Sequence, residues 1–317
     1  MADTFSLEQY RALHERAGFL LRADRGRIAI RGADGKAYLQ GLLSNDVLAL
    51  QPGESCYATL LNAQGRMISD MRVFDLGELL MLDLASAVTP SVAAHLANFV
   101  ITEDVLVEDV TSAWGQVGVY GPAARSIVTD ASKIVASVPL RVLPSGDLGV
   151  EGVDIILPAG DSAALTAALE RSGAVHLDAA TTDVTRIEAG IPKFLVDMDT
   201  STIPLEAGIE DRAISMTKGC YVGQEVIVRV LHRGGGRVAK KLVGLVIHGP
   251  AVSRDERVYA EEREVGRVTS VARSPRVGKQ IALGYVQRDY VGPGTQLQVR
   301  TPAGESSAIV VDLPFST

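Results

Sequence analysis

Cysteine is nearly absent from this chain: Cys56 and Cys220 are the only two in 317 residues. That count excludes a disulfide framework and a cysteine-rich metal site, so each thiol is read singly. Long apolar runs are missing too. The longest, such as Ile155 to Pro158 and Leu242 to Ile247, fall far short of the roughly 20 residues a membrane-spanning helix needs, so none is expected. No secretory leader is legible, because Asp3 comes early and neither an apolar core nor a small-residue cleavage site follows. The cytoplasm is the expected location. Positive charge is in deficit, with 31 Lys and Arg against 38 Asp and Glu and a net charge of −7, which argues against a nucleic-acid binder. The one local exception is the acid-free run holding Arg229, His232, Arg233, Arg237, Lys240 and Lys241. It reads either as a solvated cationic face or as a mouth for an acidic ligand.

What is present is enough to fold. Hydrophobic residues make up 47% and charged residues 22%, which excludes a disordered or fibrous chain. The length suits two or three packed units with a ligand cleft between them. Ser6 is placed to cap a helix carrying Leu7, Tyr10, Leu13 and Ala17, with Gln9 as the second arm of a capping box and a stop near Gly18. Arg27 to Arg31 alternates as a strand, and Gly32 then turns into an apolar helix through Leu43. A similar strand-turn-helix recurs at Gln116 to Val128, with Pro122 suited to a first helical turn. The pair hints at a duplicated α/β element. Strands are expected at Tyr57 to Leu61, Met67 to Phe74, Leu79 to Asp83 and Val105 to Asp109, with a helix near Pro90 to Phe99 among them. Two more helices follow, one through Leu165 and Leu169 and one from Ala179 to about Gly190.

From Lys241 the signals change to short strands and Gly-rich turns: Val243 to Ile247, Val265 to Val271, Ile281 to Val286, Leu297 to Arg300 and Ala308 to Leu313. This spacing predicts a small terminal β-barrel in an α+β protein. Gly234 to Gly236 makes the linker, dividing an α+β region at 1–235 from a barrel at 236–317. The same glycines would equally suit a ligand lining.

The densest chemistry is Lys218-Gly219-Cys220-Tyr221-Val222-Gly223-Gln224-Glu225, followed by Arg229. Two glycines around a cysteine allow close approach of a partner, and a cation two residues away favours the thiolate. A helix starting near Gly223, with Gln224, Val228 and Leu231 on one face, would push the same way through its dipole. The opposing reading is a small buried hydrophobe.

Those eight residues resemble the signature of the YgfZ folate-binding proteins, relatives of the glycine-cleavage T-protein. The likeness extends over nearly the whole chain. It takes in Leu39 to Val47, Leu60 to Asp70, Arg186-Ile187-Glu188-Ala189-Gly190, Ile203 to Glu206, Gly266 to Ser270 and Ala282 to Val286. The resemblance implies a cloverleaf of domains around a central hole that binds tetrahydrofolate or a one-carbon derivative. It implies cofactor contacts from Asp70, Arg186, Glu188, Tyr221, Gln224, Glu225 and Arg229, and a working pair of Cys220 and Lys218. A carboxylate such as Asp70 suits pteridine nitrogens because it accepts paired hydrogen bonds. Asp70 could instead be a turn residue, and Arg186 a surface or salt-bridge residue.

The chain departs from T-proteins in three places. Ser69 stands where they tend to carry a second aspartate, Val150 replaces the glutamate of a Gly-Glu-x-Gly turn, and Lys218-Gly219-Cys220-Tyr221 replaces Lys-x-Asp-Phe. The leading expectation is a folate-dependent accessory factor for iron-sulfur proteins or their assembly factors, acting on tRNA modification through iron-sulfur enzymes. The alternatives are an aminomethyltransferase of the glycine-cleavage type and a folate-binding protein without chemistry. On this reading the basic run would hold a folate polyglutamate tail.

Overall fold

The computed structural model describes residues 5–232 and 237–316. Gly234 to Gly236, expected as linker, and Arg233 of the basic run lie outside the described residues. Two compact units emerge, Met1–Thr181 with Arg212–Gln224, and Thr182–Asp211 with Glu225–Thr317.

The first unit opens with α1 (Leu7–Glu15), whose Ser6 Oγ accepts from Gln9 N at 3.3 Å. The capping box is not completed. Gln9 Oε1 accepts from Asp178 N at 2.7 Å instead, and Ser6 N donates to Thr181 Oγ1, so tertiary partners displace the local one. After β1 (Gly18–Leu21) come β2 (Arg25–Arg31), α2 (Gly35–Leu42), β3 (Ser55–Leu61), β4 (Met67–Asp75), β5 (Leu80–Ala85), α3 (Thr89–Ala97) and β6 (Leu106–Asp109). Strands β3, β4, β5, β2 and β6, in that order, form one antiparallel sheet. Its second face alternates with the first at a period of two residues. Ile28, Ile30, Ala58, Leu60, Met71, Val73, Leu82 and Leu84 point one way and pack under Leu39 and Leu42 of α2 and Val92 and Leu96 of α3.

The remainder of the unit is β7 (Trp114–Tyr120), α4 (Ala124–Ile134), β8 (Arg141–Ser145), β9 (Gly152–Pro158), α5 (Ser162–Arg171) and β10 (Val175–His176). These strands order as β10, β1, β7, β9 and β8, with only β1 and β10 parallel. Phe19, Val117, Val119, Val153 and Ile155 face α4 and α5. The two strand-turn-helix units are present as β2-α2 and β7-α4, each in a sheet layered by helices on one side, but β2 stands next to the edge strand β6 whereas β7 is central in its sheet. Both turns need a residue of positive φ, Gly32 at 105° and Gly121 at 118°. Pro122 precedes the cap residue Ala123 rather than entering the first turn.

The second unit takes α6 (Ala179–Glu188) from Thr182 onward and the short helix α7 (Pro204–Ala207); α8 (Glu210–Ala213) and α9 (Gln224–His232) straddle the unit bounds, and α9 precedes the barrel. The barrel closes through β11 (Lys240–His248), β12 (Arg257–Ala260), β13 (Arg263–Arg273), β14 (Gln280–Gln287), β15 (Gln296–Thr301) and β16 (Gly304–Val311). Around it the order is β11-β14-β13-β12-β15-β16. Leu245, Ile247, Val258, Val268, Ala282, Val286, Val299 and Val310 fill the interior. Strand β12 escapes a sequence reading because it is four residues long and holds one fully buried side chain, Val258. Among the described residues no helix is long and apolar enough to cross a membrane.

Candidate functional site

Asp70 lies in the middle of β4, opposite Thr59 of β3, and only 5% of it is exposed, so it is no turn residue. Alternation puts Asp70 and Arg72 on the face away from the helices. Tyr57 of β3 shares that face and donates its hydroxyl to Asp70 Oδ2 at 2.7 Å. The other oxygen, Oδ1, is buried and accepts from no group among the described residues. Burial pushes the Asp70 carboxyl above its ordinary range; Arg25 and the Tyr57 hydrogen bond oppose this, while Asp147 and Asp83 add to it. Ser69 points to the opposite face and donates to the Asp70 carbonyl at 2.8 Å, so no second acid stands there.

Asp70 belongs to a charged layer between the two sheets. Arg25 grips Asp83 through Nε to Oδ1 at 2.7 Å and through Nη2 to the backbone carbonyl at 2.8 Å. Arg72 pairs with Asp147, and Arg22 reaches Tyr120 Oη at 3.0 Å, Asp147 at 3.4 Å and Asp154 at 3.9 Å. Gln116 of β7 donates to Asp83 of β5 at 3.3 Å, bonding one sheet to the other. Beside these, Ala29, Phe74 and Met81 of the first sheet meet Leu143 and Ile156 of the second. A sign of the layer is present in the sequence, since charges recur every second residue at Arg25 and Arg27 and at Asp70 and Arg72. The pattern does not single out Tyr57, Arg25, Arg72, Asp83, Asp147 or Asp154, because nothing local says that the far face of each strand is also covered.

The motif segment belongs to the first unit and is stitched to the end of α2. Ser44 Oγ donates to the Ala213 carbonyl at 2.6 Å, and Ser215 N to the Ser44 carbonyl at 3.0 Å. Lys218 Nζ donates to the carbonyls of Gln40 at 2.6 Å, of Leu43 and of Asn45 at 3.1 Å, and lies 5.1 Å above the Tyr221 ring. Carbonyls at a helix C-terminus lack intrahelical partners, and a lysine there satisfies them. Burial draws the Lys218 ammonium down to about 8, against Asp46 and Cys56, whereas all three carbonyls require it protonated. Lys218 therefore holds the loop to α2; its ammonium is directed at carbonyls, not at the Cys220 thiol.

Cys220 is exposed and follows Gly219, where an added Cβ would meet nothing within 4 Å. The buried-hydrophobe reading of Cys220 is excluded. Cys56 is the covered thiol; burial pushes it up to about 11, against the nearby cations Arg72 and Lys218. Tyr221 is buried and its N–H donates to Gln224 Oε1 at 3.3 Å. Gly223, at φ 83°, starts α9, and a Cβ there would stand 2.4 Å from the Asn62 carbonyl. The buried position of α9 is Ile227, not Val228, which is exposed along with Glu225 and Arg229.

The second unit holds Arg186 and Glu188 together on the last turn of α6. Arg186 Nη1 donates to Asp197 Oδ2 at 2.8 Å and to the Ile191 carbonyl at 3.1 Å; Nη2 donates to Ser270 Oγ at 2.9 Å, and Nε pairs with Asp183. Asp197 also accepts from Thr269 and Ser270 at 2.6 Å each. Of the two alternatives for Arg186, the salt bridge holds and the surface position does not, since both partners are buried. Glu188, 1% exposed, accepts from Ser274 Oγ and from Arg276 N at 3.3 Å. Both residues tie α6 to β13 and the turn after it. Glu151, beside Val150, is exposed and pairs loosely with Arg125 at 3.5 Å. Among the described residues no cluster of three or more His, Cys, Asp or Glu could hold a metal ion.

Residues 2–218 match the GCVT N-terminal domain, and residues 240–316 match the glycine cleavage T-protein C-terminal barrel domain. Similar curated proteins include the aminomethyltransferase of Exiguobacterium sibiricum, 29% identical over 97% of this chain and 88% of its own length. That of Geobacillus kaustophilus is also 29% identical, over 97% and 89%. In fold the chain is similar to the crystal structure of glycine cleavage system aminomethyltransferase T from Bartonella henselae, with a TM-score of 0.87, 22% identity, and coverage of 97% of this chain and 88% of that one.

Proposed function

Because the chain belongs to the glycine cleavage T-protein family, we propose that it binds tetrahydrofolate or a one-carbon derivative beside Asp70 and acts in folate-dependent one-carbon transfer. The observation that carries this reading is the buried Asp70 Oδ1, which has no partner among the described residues. A desolvated acceptor without a donor is costly, and a ring N–H of a reduced pterin supplies the missing one. A reduced folate contributes the nitrogens that take up a one-carbon unit. Asp70 orients that ring and holds or releases a proton at Oδ1, aided by a carboxyl raised by burial. Arg186 and Glu188 act here by tying α6 to the barrel. Transfer of an aminomethyl group is the activity named for relatives that align along nearly the whole chain.

A second reading is favoured by the exposed Cys220 in Lys218 to Glu225: support of iron-sulfur proteins in the manner of the YgfZ group, with the thiol meeting a client. Calorimetry with tetrahydrofolate tests the first. The wild type should bind, Asp70→Asn should lose at least tenfold in affinity, and an absence of binding to any reduced folate would overturn it. Cys220→Ser separates the two readings. It should leave folate affinity unchanged in both, but lower iron-sulfur enzyme activity in cells only in the second.

A further inference from the structure

We infer that Tyr57 is a positioning residue for Asp70, fixing its carboxylate in one orientation so that Oδ2 is occupied by the phenol and Oδ1 is left for a nitrogen donor of the ligand. The inference rests on the folate reading above for the identity of that ligand, and on the geometry alone for the rest. An aspartate in a strand has two oxygens that exchange by rotation about its terminal bond, a broad and soft torsion. A single strong donor breaks that equivalence. The Tyr57 hydroxyl at 2.7 Å is such a donor, approaching from the neighbouring strand on the same face. Tyr57 is itself held, because the Arg212 guanidinium lies 5.0 Å over its ring.

The phenol stays a donor at any working pH, since burial and the Asp70 charge push its ionisation well above the ordinary value. The other charges facing Asp70 are Arg25 of β2, Asp83 of β5 and Asp147 after β8. Arg25 is already engaged twice by Asp83, so it contributes field rather than a hydrogen bond to Asp70. Tyr57 therefore supplies the direct contact that selects which Asp70 oxygen faces the ligand and favours its charged form.

The test is a pair of titrations on the whole protein carrying Tyr57→Phe. Removing the donor destabilises the Asp70 carboxylate, so its midpoint, followed by carbon NMR of labelled aspartate, should rise by about one pH unit. The acid limb of tetrahydrofolate binding should move up with it, weakening affinity several-fold near that limb and much less at higher pH. Difluorotyrosine at position 57, the same shape with a more acidic phenol, should shift both curves in the opposite sense and serves if the phenylalanine variant does not fold. An unmoved Asp70 midpoint in both variants overturns the inference. A wild type that binds no reduced folate overturns the proposed function instead, while the carboxyl titration still decides the role of Tyr57.

Discussion

The interior of the barrel and the layer between the two sheets of the N-terminal unit differ in kind. Between β11 and β16 the enclosed side chains are valine, leucine, isoleucine and alanine, a core that gains from apolar burial and asks for no specific partner. Between the two sheets of the first unit lie Arg22, Arg25, Arg27 and Arg72 against Asp70, Asp83, Asp147 and Asp154. Taking charges out of water is expensive, and their mutual attraction offsets it only when the geometry is good. A layer of this kind adds little stability over an apolar one. What it provides is a fixed field around Asp70, which an apolar interior cannot.

The sharpest way to break the contrast is to delete one member from each interior. Asp83→Ala removes the carboxylate that Arg25 and Gln116 share and should lower stability to urea by about 3 to 5 kcal/mol, because Arg25 keeps only a backbone carbonyl and a buried charge loses its counter-ion. Leu245→Ala in the barrel should cost about 2 to 5 kcal/mol through lost burial and a cavity, with folate affinity kept. Equal folate affinity in the two variants would show that the charged layer sets no field at the site.

A smaller effect distinguishes the layers by pH. Asp154 is buried beside Asp147, which raises its carboxyl, so the folded chain binds that proton more tightly than the unfolded one. A carboxylate raised on folding weakens the fold as pH climbs from about 4, its unfolded value, through its folded one. Asp154→Asn should flatten the fall in stability over that window, read from melting temperatures across pH. Asp147 runs the other way, held well below its range by Arg72 and Arg22, and contributes stability that is lost as pH falls. A steeper slope in Asp154→Asn than in wild type would reverse this assignment.

The smallest expected effect on stability concerns the two thiols. Alkylation should label the exposed Cys220 in the folded protein and leave the melting temperature unchanged, whereas Cys56, half-buried and pushed up to about 11, should react only slowly until unfolding. Faster labelling of Cys56 would place the accessible thiol in β3 instead.

The alternation at Met67 to Phe74 and the Gly-rich spacing after Lys241 made the first sheet and five of the six barrel strands legible, since period-2 burial is written locally, while β1, β8, β9 and β10 of the second sheet carried no such signal. Lys218 shows where that stops. Its position two residues before Cys220 suggested a cation for the thiol, yet its ammonium reaches carbonyls at residues 40, 43 and 45. Sequence adjacency sets which residues share a loop, but the side chain goes to whichever distant acceptors most need a donor.

By itself the sequence determined most element types, the terminal barrel and the wider T-protein family, and it marked Asp70 as a candidate, because periodicity and turn glycines are local properties. Only tertiary structure decided that β2, β4 and β5 turn their charged faces onto a second sheet. It alone bonded Tyr57 to Asp70 and Arg186 to Asp197, and left Asp70 Oδ1 without a partner among the described residues. The physical reason is that the cost and pairing of a buried charge depend on what covers it from across the fold. No window along the chain contains that information.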